Sequence, residues 1–247
     1  MDSVTCSSGT TLDDVWTFSG GWNQVGNFPG PSRGDAGMAY DSASNEMVLF
    51  GGIGCGSVCG DSWTYGGGKW TSLGGTLPPA RAGVAMAYDP NPSLQYVVMV
   101  GGMSSTGAVS PDVYEFNGAK WTLLSSSPGF TARYDASLAY DALDGYLVLF
   151  GGASQGGAPL SDAWEYAPGG WSQLASSTPV GPRWGLAMAF DPLGGPNGYT
   201  LMYGGNPSYD HWPTGGGDSP AQGDTWTYIG AGIPPGAPAW YEVTLVS

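Results

Sequence analysis

Basic side chains are scarce: six Lys and Arg stand against 20 Asp and Glu, for a net charge of −14 at neutral pH over 247 residues. A protein that tracks phosphates needs a basic patch or stripe, so DNA, RNA and anionic membrane surfaces are not expected partners. Histidine occurs once, at His211. A Ser-His-Asp triad would have to use that single imidazole. Long apolar runs are missing as well. The longest are short segments such as Tyr96 to Val100, well below the roughly 18 residues a membrane span needs, and no direct membrane insertion is expected. Cysteine is limited to Cys6, Cys55 and Cys59. One His and no second Cys pair leave too few ligands for a structural zinc, and no cofactor is expected. Cys55 and Cys59, separated by three residues, are expected to form a disulfide within one loop. A Gly-rich, Lys-poor chain with such a bond fits a secreted or cell-surface setting. Cys6 is then left for an intermolecular bridge or an unpaired thiol. The opening Met1-Asp-Ser carries no basic, apolar leader, so secretion implies a signal peptide already removed.

What the chain does hold is turn formers and large aromatics: 44 Gly, 20 Pro, 11 Trp and 14 Tyr. Short strands joined by tight turns suit that balance, and the length suits one all-β domain. Glycine pairs follow apolar runs at Gly51-Gly52, Gly101-Gly102, Gly151-Gly152 and Gly204-Gly205, with first-glycine spacings of 50, 50 and 53. Repeats of this length are propeller blades. Each pair is preceded by an Arg and, eight residues on, an Asp: Arg33 and Asp41, Arg81 and Asp89, Arg133 and Asp141, Arg183 and Asp191. Downstream, Asp61-Ser-Trp-Thr-Tyr recurs as Asp112-Val-Tyr-Glu-Phe, Asp162-Ala-Trp-Glu-Tyr and Asp224-Thr-Trp-Thr-Tyr, and Asp14-Val-Trp-Thr-Phe is a fifth copy. A closing Trp follows in most copies, at Trp22, Trp70, Trp121 and Trp171.

These residues resemble the kelch motif, over nearly the whole chain: an Arg-bearing first strand, an apolar second strand ending in a glycine doublet, then spaced aromatics on the third and fourth strands. The resemblance implies an all-β kelch-type β-propeller of five blades, each a four-stranded antiparallel sheet, in a single domain over 1–247. The repeats span about 33–73, 81–124, 133–174 and 183–228. The fifth blade is expected to join N-terminal strands within 12–25 to the C-terminal segment 240–246; a larger propeller that has been truncated is the alternative. Met47 to Phe50, Val97 to Val100 and Leu147 to Phe150 are apolar throughout, as strands buried on both faces are. Asp41, Asp89, Asp141 and Asp191 are expected to shape the turn after the first strand through side-chain bonds to nearby backbone.

Two sets of residues are candidate ligand contacts. Arg33, Arg81, Arg133 and Arg183, one per blade, would make a ring of cations able to receive an anion; the competing and favoured reading pairs each with a repeated Asp as a structural bridge. After Gly205 the chain runs 18 residues to Asp224, against 8, 9 and 9 in the preceding blades. This insertion holds Tyr209, Asp210, His211, Trp212 and Asp218, exposed aromatics and carboxylates fit for a sugar or peptide. Calcium between Asp210 and Asp218 is a weaker reading. The expected function is an extracellular or cell-surface binding module that recognises a glycan or protein partner through one propeller face. A self-assembling subunit of a surface layer or filament is the first alternative. A polysaccharide-active enzyme using paired carboxylates is the second, although the chain is not expected to be an enzyme. The copper chemistry of galactose oxidase, which shares kelch-like repeats, needs more than the one His present.

Overall fold

The computed structural model describes residues 11–174, 179–193, 198–207, 223–229 and 239–243, and these form strands without a helix. An N-terminal hairpin pairs β1 (Asp14–Phe18) with β2 (Trp22–Asn27). Four antiparallel four-stranded sheets follow, each in chain order. The first contains β3 (Gly37–Asp41), β4 (Glu46–Phe50), β5 (Ser62–Gly66) and β6 (Lys69–Leu73). The second contains β7 (Ala85–Asp89), β8 (Tyr96–Val100), β9 (Val113–Phe116) and β10 (Trp121–Ser125). The third contains β11 (Ser137–Asp141), β12 (Tyr146–Phe150), β13 (Ala163–Ala167) and β14 (Gly170–Gln173). The fourth contains β15 (Ala187–Asp191), β16 (Tyr199–Tyr203), β17 (Thr225–Ile229) and β18 (Ala239–Glu242). The sheets are arranged as the blades of an all-β propeller-like fold, and their first strands pack side by side in the run β3, β7, β11, β15.

Hydrophobic pattern explains this stacking. Every residue of β8 is buried, because a second strand has a blade on each side and no face left for water. The first strand of the first blade, β3, alternates instead: Ala39 and Asp41 are buried while Met38 and Tyr40 are exposed. Three apolar clusters fill the successive blade interfaces, Phe50 and Trp121 in the first, Tyr96 and Leu149 in the second, Phe150 and Trp240 in the third. The glycine doublets sit where blades touch through backbone. A Cβ on Gly101, whose φ is +71°, would lie 2.2 Å from the carbonyl oxygen of Arg133, and the next amide, of Gly102, donates to that same carbonyl at 2.9 Å. Only glycine meets both demands.

The expected fifth blade needs correction. Trp240 does not stand beside the N-terminal strands; it lies on β18 opposite Tyr228 of β17, the register that Trp70, Trp121 and Trp171 hold opposite Tyr65, Phe116 and Tyr166. There its ring meets Tyr228 and Phe150, each at 5.2 Å between centroids, so it completes its own blade and the interface beneath it. Among the described residues the hairpin β1–β2 is a two-stranded sheet. The predicted Asp turns form: Oδ1 of Asp41, Asp89, Asp141 and Asp191 accepts the amide two residues on, from Ala43, Asn91, Leu143 and Leu193. Cys55 and Cys59 are joined in a disulfide between β4 and β5. Cys6 lies outside the described residues.

Candidate functional site

Arg33, Arg81, Arg133 and Arg183 do not form a free cationic ring. Each lies just before a first strand, with its side chain at most 4% exposed, and bridges to the Asp that precedes the third strand of the same blade. In the third blade Arg133 Nη1 and Nη2 donate to Asp162 at 2.9 and 2.7 Å, Nη1 also donates to the Gly151 carbonyl, and Nε donates to Thr131. Trp164 Nε1 adds a bond to the same carboxylate at 2.6 Å. Four of the five guanidinium N–H donors are used in these bonds, and the wholly buried side chain has no open side for an anion. Burial pushes the Asp61 and Asp162 carboxyls upward, but hydrogen bonds from arginine and indole outweigh it and hold both below the usual value. Asp224 is lowered chiefly by its hydrogen bond to Arg183. The second blade is weaker: Arg81 reaches Asp112 through one contact at 3.3 Å, and Tyr114 replaces the indole donor.

Two residues after each arginine the chain holds Asp35, Gly83, Asp135 and Gly185, all in left-handed backbone, with φ of 51°, 64°, 51° and 66°. A run of main-chain bonds links them from blade to blade: Gly83 N–H to Asp35 C=O, Asp135 N–H to Gly83 C=O, and Gly185 N–H to Asp135 C=O. These are the leading ends of the inner strands, so the run brings side chains of alternate blades together. The Asp135 carboxylate lies against Gly83, where an added Cβ would meet its Oδ1 at 2.3 Å. Burial, then the charge of Asp35, pushes the Asp135 carboxyl up to about 7. Burial raises Asp35 too, although its outer side stays exposed. This pair was not among the sequence candidates. Aligning the four repeats on their arginines exposes it: a column holding only Asp and Gly signals positive φ.

Tyr209, Asp210, His211, Trp212 and Asp218 lie outside the described residues. Among the described residues Cys55, Cys59 and Asp61 cluster closely enough to suggest a metal, but the two sulfurs are bonded to each other and Asp61 is held by Arg33. Gly152-Ala153-Ser154-Gln155-Gly156 spells G-x-S-x-G. It turns between two strands rather than into a helix, and Ser154 Oγ donates to the Ala158 carbonyl, so the strand-to-helix elbow of a nucleophile is absent there.

No protein-family model matches the sequence, and no curated protein matches it. Among solved structures the chain is similar to that of YjhT, a propeller-like fold, with a TM-score of 0.61 at 17% identity. The match covers 74% of this chain and 62% of that one, so the chain spans about three fifths of YjhT. Likeness at this identity shows the fold alone.

Proposed function

We propose that the chain is an extracellular binding module of the kelch-propeller kind, which takes a glycan or protein partner on the face where Asp35 and Asp135 meet. One observation carries the reading: two carboxylates occupy left-handed positions that the neighbouring blades give to glycine. A non-glycine residue in that conformation costs on the order of 1 kcal/mol, and such strain gathers at binding sites. Sugar hydroxyls or a Lys or Arg of a partner supply the donors these carboxylates lack. The disulfide supports the extracellular setting, and the arginines, being enclosed, leave acidic rather than basic chemistry on this face.

Arrays of neutral and basic glycans and of Lys- and Arg-containing peptides test this. A ligand found there loses affinity roughly tenfold or more on Asp135→Asn, as expected for one charge-assisted bond, and binds more weakly as pH falls through about 7 and the carboxyl protonates. Full affinity in both Asp35→Asn and Asp135→Asn, or no binding from either array, would overturn the proposal. The same pair favours a second reading, a polysaccharide hydrolase with Asp135 as general acid. Release of reducing ends from a polysaccharide panel, abolished by Asp135→Asn, would replace the first reading with it.

A further inference from the structure

The loop from β4 to β5 in the first blade is built differently from its counterparts. Gly54 stands where the second and third blades have Ser104 and Ser154. Those serines brace their loops: Ser104 Oγ accepts from the Ala108 amide, and Ser154 Oγ donates to the Ala158 carbonyl. Gln155 ties the two loops together, its amide accepting from Val109 N–H at 2.9 Å and donating to the Gly107 carbonyl at 3.0 Å. Among the described residues no side chain of 53–60 makes a hydrogen bond, and Gly54, Gly56 and Gly60 make that stretch costly to order. The Cys55–Cys59 bond closes it instead.

What this loop holds is the chain leading into Asp35. Ile53 and Gly34 exchange two main-chain bonds, at 2.8 and 2.9 Å, and Gly34 immediately precedes Asp35. Gly54 lies so close to Ser32 and Arg33 that a Cβ would collide with their backbone. At the other end of the loop Cys59 donates its amide to the Gly52 carbonyl and accepts from Arg81 N–H at 3.2 Å, and Asp61, two residues on, bridges Arg33. Asp35 is in left-handed backbone, with φ of 51°, which a non-glycine residue keeps only where its surroundings hold it. Asp135, with the same φ, is backed by the hydroxyl-braced loop of the third blade through the Tyr134 and Ala153 bonds. For Asp35 the corresponding brace is covalent. Its two sulfurs differ in access: Cys55 is exposed and Cys59 is buried.

We propose that Cys55–Cys59 is a redox clamp on Asp35: the closed bond holds the Asp35 segment in its left-handed turn, opening the bond releases it, and ligand binding on this face follows the thiol–disulfide state. The binding half rests on Asp35 and Asp135 being the binding site. Closure uses an external disulfide as oxidant. The Cys55 thiolate attacks one of its sulfurs and expels a thiol; the Cys59 thiolate then attacks Cys55 Sγ in the mixed disulfide and expels the second, so two electrons and the two cysteine protons pass to the oxidant. A dithiol reverses both steps, entering at the exposed Cys55 Sγ with Cys59 leaving. The site is thereby set in oxidising surroundings and released in reducing ones.

The test uses the chain with Cys6→Ser, so that Cys55 and Cys59 are its only cysteines, either oxidised or treated with dithiothreitol, with the state verified by thiol labelling. Amide exchange at Gly34 and Ile53 is expected to speed up roughly tenfold or more on reduction, while exchange at Tyr134 and Ala153, which make the same pair of bonds in the third blade, stays unchanged. A ligand taken from the glycan and peptide arrays is expected to lose roughly tenfold in affinity on reduction, to regain it on reoxidation with oxidised glutathione, and to bind Cys59→Ala as weakly as the reduced chain. Unchanged exchange on reduction, or a bond that dithiothreitol does not open, would overturn the proposal. Exchange that rises throughout the chain would overturn it too, by making the bond a global staple. Faster exchange at Gly34 and Ile53 with undiminished affinity would overturn the gating and leave Asp35 and Asp135 as the binding site. No array ligand in either state would overturn the binding site, and the exchange data alone then decide the clamp.

Discussion

At the first blade interface Trp121 Nε1 donates to Ser62 Oγ at 3.0 Å, and that hydroxyl donates onward to the Leu49 carbonyl at 3.1 Å. Two blades later the geometry recurs without the hydroxyl. Ala163 stands opposite Phe150 as Ser62 stands opposite Phe50, Trp240 packs on Phe150 as Trp121 packs on Phe50, and Trp240 Nε1 is buried with no acceptor. A buried donor without a partner forfeits about 1–3 kcal/mol, and a formed bond returns about 1. Ala163→Ser adds one oxygen beside an available indole N–H and the Leu149 carbonyl. We expect it to stabilise the protein by about 1 kcal/mol, or about 2–4 °C in Tm for a chain of this size. Ser62→Ala should cost about 1–2 kcal/mol by orphaning Trp121. Urea unfolding followed by indole fluorescence measures both as shifts in midpoint at constant slope. A lowered midpoint for Ala163→Ser, with none for Ser62→Ala, would refute the equivalence of the two interfaces.

Asp162→Asn should cost about 3 kcal/mol, because it leaves a buried guanidinium short of a partner held by two bonds, whereas Asp112→Asn should cost about 1; equal losses in chemical unfolding would contradict the ranking. With Asp61, Asp162 and Asp224 lowered, their contribution to stability is present above the unfolded value of about 3.9 and is lost as pH falls through the folded values. Asp135, raised to about 7, acts with the opposite sign: its ionisation destabilises the fold as pH climbs from about 4 to 7, so Asp135→Asn should flatten that stretch of the pH–stability curve and gain at most about 4 kcal/mol at pH 8. An unchanged curve would place Asp135 in water. Gly101→Ala, with a Cβ set 2.2 Å from a carbonyl oxygen, should cost about 3 kcal/mol or more, against about 1 for Gly107→Ala, which has the same sign of φ and open space. Similar midpoints for the two would remove close backbone approach as the reason for the doublet.

The blades were legible because their signals are local and repeated. An apolar run ending in Gly-Gly demands a strand buried on both faces, and a period near 50 residues demands a blade. The arginine bridges were one of two readings, since spacing along the chain does not say whether a guanidinium points at its own Asp or at the axis; burial to 4% exposure or less decides it. Trp240 was misassigned because it follows Asp224 by 16 residues where Trp70, Trp121 and Trp171 follow theirs by nine. The intervening residues hid a register that the aromatic contact with Phe150 restores. Asp35 and Asp135 were invisible as a pair, being 100 residues apart and joined only when blade stacking lines up their backbones.

Where the repeat is obeyed, its polar groups are used up. Arginine, aspartate and indole satisfy one another inside each blade, and the glycine doublet and its neighbour's carbonyl satisfy one another between blades. Such groups hold the stack together, and the four arginines, though the most conspicuous charges in the sequence, are buried and bridged to aspartates rather than open to an anion. Chemistry is left over only at departures from the pattern. Asp in place of Gly at two inner-strand heads puts carboxylates into a row of backbone bonds where the other two blades have none, and Asp14 accepts from Trp16 without an arginine bridge among the described residues. On the proposed function, substitutions at Asp35 and Asp135 should change binding while leaving the blades intact.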